Sequence, residues 1–287
     1  MYRIPNTRGM LFVVVGLASA FLFSVSPASS VGVAGDPADD QGQWGNVKGQ
    51  IVLDAKAAPE QVKLDVTKDQ PVCLAKGPLL SEALIVNKAN LGVKNVFVWL
   101  IHKDIPPNPS DPVPPLAIHP SLREIKSKNV EMDQPCCMFE PHALCMRQGQ
   151  VLLAKNSSTI AHNFHWSGLP NKNPGGNSIV VAGGELKIGD LVADRVPVKI
   201  SCDIHPWMSG WVRVFDHPYF ALTDKDGRFE IKNAPAGPCR LVTWQEDVGW
   251  AVGDMGAAPG RYGMLIDIPA GKTLDMGVLK MPPPKKD

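Results

Sequence analysis

The chain has 287 residues, room for about two domains. Hydrophobic residues make up 44% and charged residues 20%, which excludes a chain too polar to build a core. Its 29 basic and 28 acidic residues nearly cancel, which argues against a nucleic-acid binder or a polybasic membrane-surface protein. Gly (26) and Pro (27) punctuate the sequence so densely that short strands and turns are expected, not long helices.

In chain order, Arg3 and Arg8 precede an apolar run over 10–25, followed by small residues from Ser26 to Ser30. That arrangement predicts a secretory signal peptide over 1–30. The run is short for a membrane span, which needs about 20 residues. An exported, periplasmic chain with no membrane span after signal removal is the expectation. Residues 31–43 are small and polar, a flexible lead-in. Short β-branched runs follow at 47–53, 61–66, 83–86 and 93–101. Prolines at 106, 107, 109, 112, 114, 115 and 120 make 104–120 a long surface loop. Strand patterns resume at 150–154, 163–166, 196–201 and 210–215. A second group begins after residue 216, with strands at 219–223, 228–231, 239–244, 264–268 and 275–279. Its turn Asp224-Lys225-Asp226-Gly227 is a hairpin signal. The pattern predicts an all-β chain of two sandwiches, 44–216 and 217–281, with a Pro- and Lys-rich tail at 282–287.

The chemistry concentrates in Cys202-Asp203-Ile204-His205-Pro206-Trp207-Met208, set between two strand patterns, and in Ala161-His162-Asn163 forty residues earlier. A thiolate, two imidazoles and a thioether are the ligand set of a mononuclear copper electron-transfer site. A strand ending at Cys202, a turn carrying His205 and a strand resuming at Met208 would aim three side chains at one centre. His162, on a neighbouring strand, supplies the fourth. Soft sulfur ligands accommodate Cu(I) and imidazoles suit both oxidation states, so one cage can hold both. Pro206 has no N–H to give the sulfur, and Trp207 is placed to shield the site from water.

These motifs resemble the cupredoxins, closest in loop length to amicyanin and plastocyanin. The resemblance implies a Greek-key β-sandwich in which His162, Cys202, His205 and Met208 bind one type 1 copper. It also implies that Asn163 ties the two ligand loops together. Asp203 departs from the Ser or Thr that commonly follows the ligand cysteine, placing an acid near the sulfur. Residues 217–281 resemble the smaller carboxypeptidase regulatory-like or transthyretin-like sandwich, through Thr223 to Phe229, Asn233 to Gly237 and Leu241 to Trp244. Cupredoxins with this extension are often labelled methylamine-utilisation-like and tend to have His where this chain has Gln245.

Other candidates carry less. His165 lies three residues from His162, so on a strand it faces the opposite side. The chain has no His-x-His pair and no second cysteine in the ligand loop, which removes the multicopper and binuclear enzymatic readings. Cys136, Cys137, His142 and Cys145 could form a second metal site. A disulfide from Cys73 to Cys136 or Cys137, securing the long loop, is the favoured alternative in an oxidising compartment. Cys239 reads as a buried free thiol. The resulting expectation is a non-enzymatic blue-copper protein passing single electrons between redox partner proteins. Electrons would enter or leave through an exposed edge of His205, with Pro206, Trp207 and Trp211 in an apolar docking patch. The rival readings are copper storage or delivery, and a cell-envelope interaction protein, both without redox cycling.

Overall fold

The structure, a computed structural model, describes residues 43–106, 111–251 and 262–285. The expected signal peptide and nearly all of the lead-in lie outside them. The described chain is almost entirely β, and none of its helices is long and apolar enough to cross a membrane.

Two sandwiches share the chain. The first contains the central ligand motifs. One of its sheets has the order β4 (Ala143–Arg147), β10 (Ser209–Phe215), β9 (Val198–Ser201), β6 (His162–Ser167) and β7 (Gly176–Val180). The facing sheet runs β3 (Asn129–Met132), β5 (Val151–Lys155) and β8 (Glu185–Ile188). Met132, Met146, Leu152, Phe164, Ile200 and Val212 fill the space between them.

The second sandwich has β1 (Trp44–Leu53) at the centre of one sheet, between β12 (Arg228–Pro235) and β16 (Thr273–Met281). Its other sheet joins β11 (Phe220–Leu222), β2 (Phe97–His102), β13 (Gly237–Gln245) and β14 (Gly249–Trp250), with β15 (Met264–Ile268) also pairing β13. Along β12 the alternation of Arg228, Glu230 and Lys232 with Phe229 and Ile231 puts the apolar pair inside.

The sheets do not divide near residue 216, as the sequence pattern suggests. β1 and β2, read as the start of the first sandwich, are central strands of the second. The reason is pairing. After residue 216, β12 and β16 meet only through β1, and β11 reaches β13 only through β2. The runs at 61–66 and 83–86 also differ from expectation, making only isolated bridges, Lys63 with Leu80 and Val86 with Val93.

The sandwiches meet across an aromatic seam. Phe97, Val98, Trp99 and Leu100 are all buried, so both faces of β2 are covered. Val98 and Leu100 enter the second core. Phe97 and Trp99 turn the other way, against Ala143 and Phe215 of the first sandwich, with Trp211, Trp244 and Trp250 around them.

Candidate metal centre

His162 opens β6, and β9 ends at Ser201, directly before Cys202. β6 and β9 pair antiparallel, as do β9 and β10, so the 202–208 turn hangs at the end of the sheet beside His162. The turn is closed by the Met208 N–H, which donates to the His205 carbonyl at 2.9 Å. Asn163 binds it to β6: its Oδ1 accepts from the backbone N–H of Asp203 (2.7 Å) and Ile204 (3.1 Å). The same oxygen lies 3.2 Å from the Cys202 Sγ. On the other side, Asn156 Nδ2 donates to the carbonyls of Ile160 and Val180, both at 2.8 Å, and holds the approach to His162. Nothing in the local sequence marks Asn156 for this role beyond the Asn-Ser-Ser turn composition.

Three donor atoms converge. His162 Nδ1 and His205 Nδ1 are 2.9 Å apart, and Cys202 Sγ is 4.0 Å from the first and 3.8 Å from the second. A triangle with those sides has a point about 2.1 Å from every corner, close to the length of a metal–nitrogen or metal–sulfur bond. Cys202, His205, His162 and Met208 are all buried. His162 Nε2 is buried without a hydrogen-bond partner. Burial, followed by the neighbouring His205, pushes the His162 pKa down to about 4, against a smaller opposing pull from Asp69. The imidazole is therefore neutral near pH 7 and keeps a lone pair for a metal. A soft cysteine sulfur, two imidazoles and a thioether in the same core fit a copper ion.

The far side of His205 is closed. The connection between β1 and β2, residues 54–96, crosses the centre as a strap. Its Asp69 places Oδ2 at 2.9 Å from His205 Nε2, which leaves Nδ1 for the metal side. Asp69 begins the short helix α1 (Gln70–Cys73) with φ 49°, and its side chain makes no cap to that helix. Asp tolerates this left-handed geometry better than most residues, and the carboxylate is spent on His205. Four residues later, a disulfide joins Cys73 to Cys137, itself at φ 56°. Trp207 completes the cover: its Nε1 donates to the Cys137 carbonyl at 3.2 Å, and its ring centroid lies 5.2 Å from that of His205.

One expectation is overturned here. His205 is 0% exposed, so no bare imidazole edge faces solvent. Trp211 is half-buried: it packs edge-on against Trp244 at 4.9 Å, and its Nε1 donates to Glu246 Oε2 at 2.7 Å. The sequence pattern gave no hint of the strap, because Asp69 reaches His205 across 136 positions.

The remaining candidates fall as follows. The Asp203 carboxylate turns from the sulfur to His165 Nδ1 (3.0 Å) and Asn177 Nδ2 (2.5 Å), and these contacts lower its pKa. His165 is thereby held outside the donor triangle, and Pro206 is exposed at the turn. Cys136 and Cys145 are not bonded to each other or to Cys137, and Cys239 is a buried free thiol. His142 pairs with Glu246 across the seam. Gln245 is buried and structural: its Oε1 accepts from the N–H of Asp247 and Val248, and its amide donates to the Ala83 carbonyl.

No protein-family model matches the chain, and no curated protein matches it. Among solved structures, a reduced tryptophan-to-tyrosine variant of amicyanin is similar at 18% identity and TM-score 0.28, covering 32% of this chain and 87% of that one. A purple cupredoxin from Nitrosopumilus maritimus is similar at 20% identity and TM-score 0.26, covering 30% of this chain and 98% of that one. A Cu(I) methionine-to-alanine variant of amicyanin gives 17% identity and TM-score 0.28, covering 32% of this chain and 87% of that one.

Proposed function

We propose that this is an exported, non-enzymatic protein that holds one type 1 copper ion and passes single electrons between redox partner proteins. The observation that carries the reading is the buried triangle of His162 Nδ1, His205 Nδ1 and Cys202 Sγ, at 2.9, 3.8 and 4.0 Å. Copper held there would supply one-electron cycling. The chain's own residues do the rest. Asn163 fixes the 202–208 turn to β6, so the donor atoms need not reorganise between oxidation states. Asp69 fixes the His205 ring, and the apolar core around Met208 excludes water. Likeness to the amicyanin and purple cupredoxin structures comes in here only as a resemblance.

The second sandwich, proposed as a regulatory-like module, has a definite task in this reading. It is the frame from which the strap is hung, since both ends of residues 54–96 are anchored in its central strands. A redox partner would then approach His205 over Asp69, whose side chain is 38% exposed, not over a bare imidazole edge.

The test is the visible spectrum of the Cu(II)-loaded full chain beside a Cys202→Ser variant. An intense thiolate-to-copper charge-transfer band, absent from the variant and bleached reversibly by one electron, is expected. A colourless protein that binds no copper would refute the reading. Copper that binds without a reversible couple and passes readily to a chelator would instead support storage or delivery.

A further inference from the structure

Away from the metal centre, Arg213 of β10 poses a separate problem. It is 4% exposed and sits in the seam, with its guanidinium carbon 4.3 Å from the Trp99 ring centroid and 5.0 Å from that of Phe215. The rings attract the cation, but they satisfy none of its N–H groups. Nε and Nη1 are buried without a hydrogen-bond partner, and among the described residues no carboxylate is ion-paired with Arg213. Asp194 and Asp216 act on it only from a distance, and burial outweighs them, bringing its pKa down to about 10. It remains charged near pH 7. The Cys145 thiol, opposite it on β4, is kept neutral by burial. A buried cation with no anion beside it is strongly unfavourable.

Arg213 lines a cleft of about 560 Å³, within the size range of small-molecule sites. Trp99, Trp250 and Phe215 form apolar walls, and Lys172, Arg195, Asp194, Asp216 and His217 line the same space, so with Arg213 the cations outnumber the carboxylates by three to two. Asp194 Oδ2 is buried and unpartnered. His217 accepts the Tyr219 N–H on Nδ1 at 3.1 Å, which leaves the proton on Nε2. Burial holds its pKa near 4, so this ring is a neutral donor. That N–H is turned towards the Leu100 carbonyl and lies 3.9 Å from Asp216 Oδ1, so the cleft offers a ligand a desolvated guanidinium and flat aromatic walls, with the Asp194 and Asp216 carboxylates also in its lining.

We infer that this cleft binds a small aromatic carboxylate, with its carboxylate on the free N–H edge of Arg213 and its ring against the tryptophan walls. A carboxylate matches the planar fork in two parallel hydrogen bonds and supplies the ion pair that Asp194 and Asp216, though in the same cleft, do not make. The flat body follows from the walls. The site is independent of the copper reading and stands whether or not that reading holds.

The experiment is calorimetric titration of the full chain with 2-naphthoate, the neutral 2-naphthamide and inorganic phosphate. Saturable binding of naphthoate is expected, with the amide at least about tenfold weaker, the worth of one charge-assisted hydrogen bond. Arg213→Met should lose naphthoate binding while melting no lower than the parent, because it removes an uncompensated buried charge. Arg213→Lys, which keeps the charge but not the fork, should weaken binding by at least about tenfold. The proposal is overturned by absence of saturable binding, by equal affinity for amide and carboxylate, or by phosphate binding alone. An Arg213→Met protein that folds but melts lower and binds naphthoate like the parent would also overturn it, making the cation purely structural. If that variant does not fold, the comparison of naphthoate with naphthamide on the parent chain decides.

Discussion

Asp69→Asn isolates one charge at the proposed copper centre. Asn keeps an oxygen that can accept from His205 Nε2, so the hydrogen bond survives and the negative charge goes. The carboxylate oxygen lies 2.9 Å from Nε2. Adding the width of an imidazole and a metal–nitrogen bond puts it about 7 Å from a metal held on Nδ1. At that range a unit charge is worth about 2.4 kcal/mol at an effective dielectric of about 20, and about 0.6 kcal/mol in water. With the Asp69 side chain 38% exposed, the true value falls between those limits. An adjacent anion stabilises the more positive, oxidised state, so its removal raises the midpoint potential. The expected rise is about 25 to 100 mV for a one-electron couple. Spectroelectrochemical titration of parent and variant at one ionic strength measures it. An unchanged or lowered midpoint, with the charge-transfer band intact, would refute the coupling of Asp69 to the centre through His205.

Three further outcomes follow from the same contacts. Replacing both Cys73 and Cys137 with Ser opens a loop with sequence separation 64, and chemical denaturation should show a loss of about 2 to 4 kcal/mol; the His205 imidazole should also become open to acylation, and continued protection would show that Asp69 and Trp207 hold the strap unaided. Asn163→Ala leaves the N–H groups of Asp203 and Ile204 without their acceptor; it should cost about 1 to 3 kcal/mol and weaken copper retention, whereas unchanged stability would mean the turn is held by other contacts. His217 takes up a proton near its ordinary value of 6.5 when unfolded but only near 4 when folded, because of burial. Its contribution is therefore present above pH 6.5, is lost as pH falls towards 4 and is flat below that. The loss is on the order of 3 kcal/mol, and His217→Gln should flatten the metal-free stability profile in that window. His162 adds a drop in the same window, so an identical slope in the variant would exclude His217 as a source.

In the proposed function, a closed centre changes how a partner would reach it. In the expectation from sequence, a histidine edge exposed at the surface serves as the contact. Here that edge is covered by a strap carried on the other sandwich, pinned by a disulfide and by Trp207. A partner would meet the strap around Asp69, which makes the second sandwich part of the redox surface in the proposed function.

The donor set was legible because it is local chemistry. Cys202, His205 and Met208 sit at fixed offsets in one turn, and His162-Asn163 starts a strand, so residue type and period single out these side chains as candidates before any fold is known, and the fold brings the donor atoms of His162, Cys202 and His205 together. Strand patterns located most elements for the same reason, down to the unbroken apolar run around 97–100, which is apolar throughout because both of its faces are covered. The partners of those strands were not legible. A strand's side-chain alternation tells which face is buried but not which distant strand it pairs with, so β1 and β2 were assigned to the wrong sandwich. Nor do 61–66 and 83–86 differ in composition from strands; the strap instead spends those residues on crossing the centre. Asp69, Arg213 and the seam tryptophans belong to the same class. Each gains its role from groups far away in sequence, His205 for Asp69, Trp99 for Arg213 and Trp244 for Trp211. The sequence by itself determined an all-β chain and the candidate metal-binding side chains, since these depend on residue type and short-range period. Only the tertiary structure decided what covers those side chains and where a buried charge is left unpaired, because burial and pairing are set by contacts that the order of residues does not display.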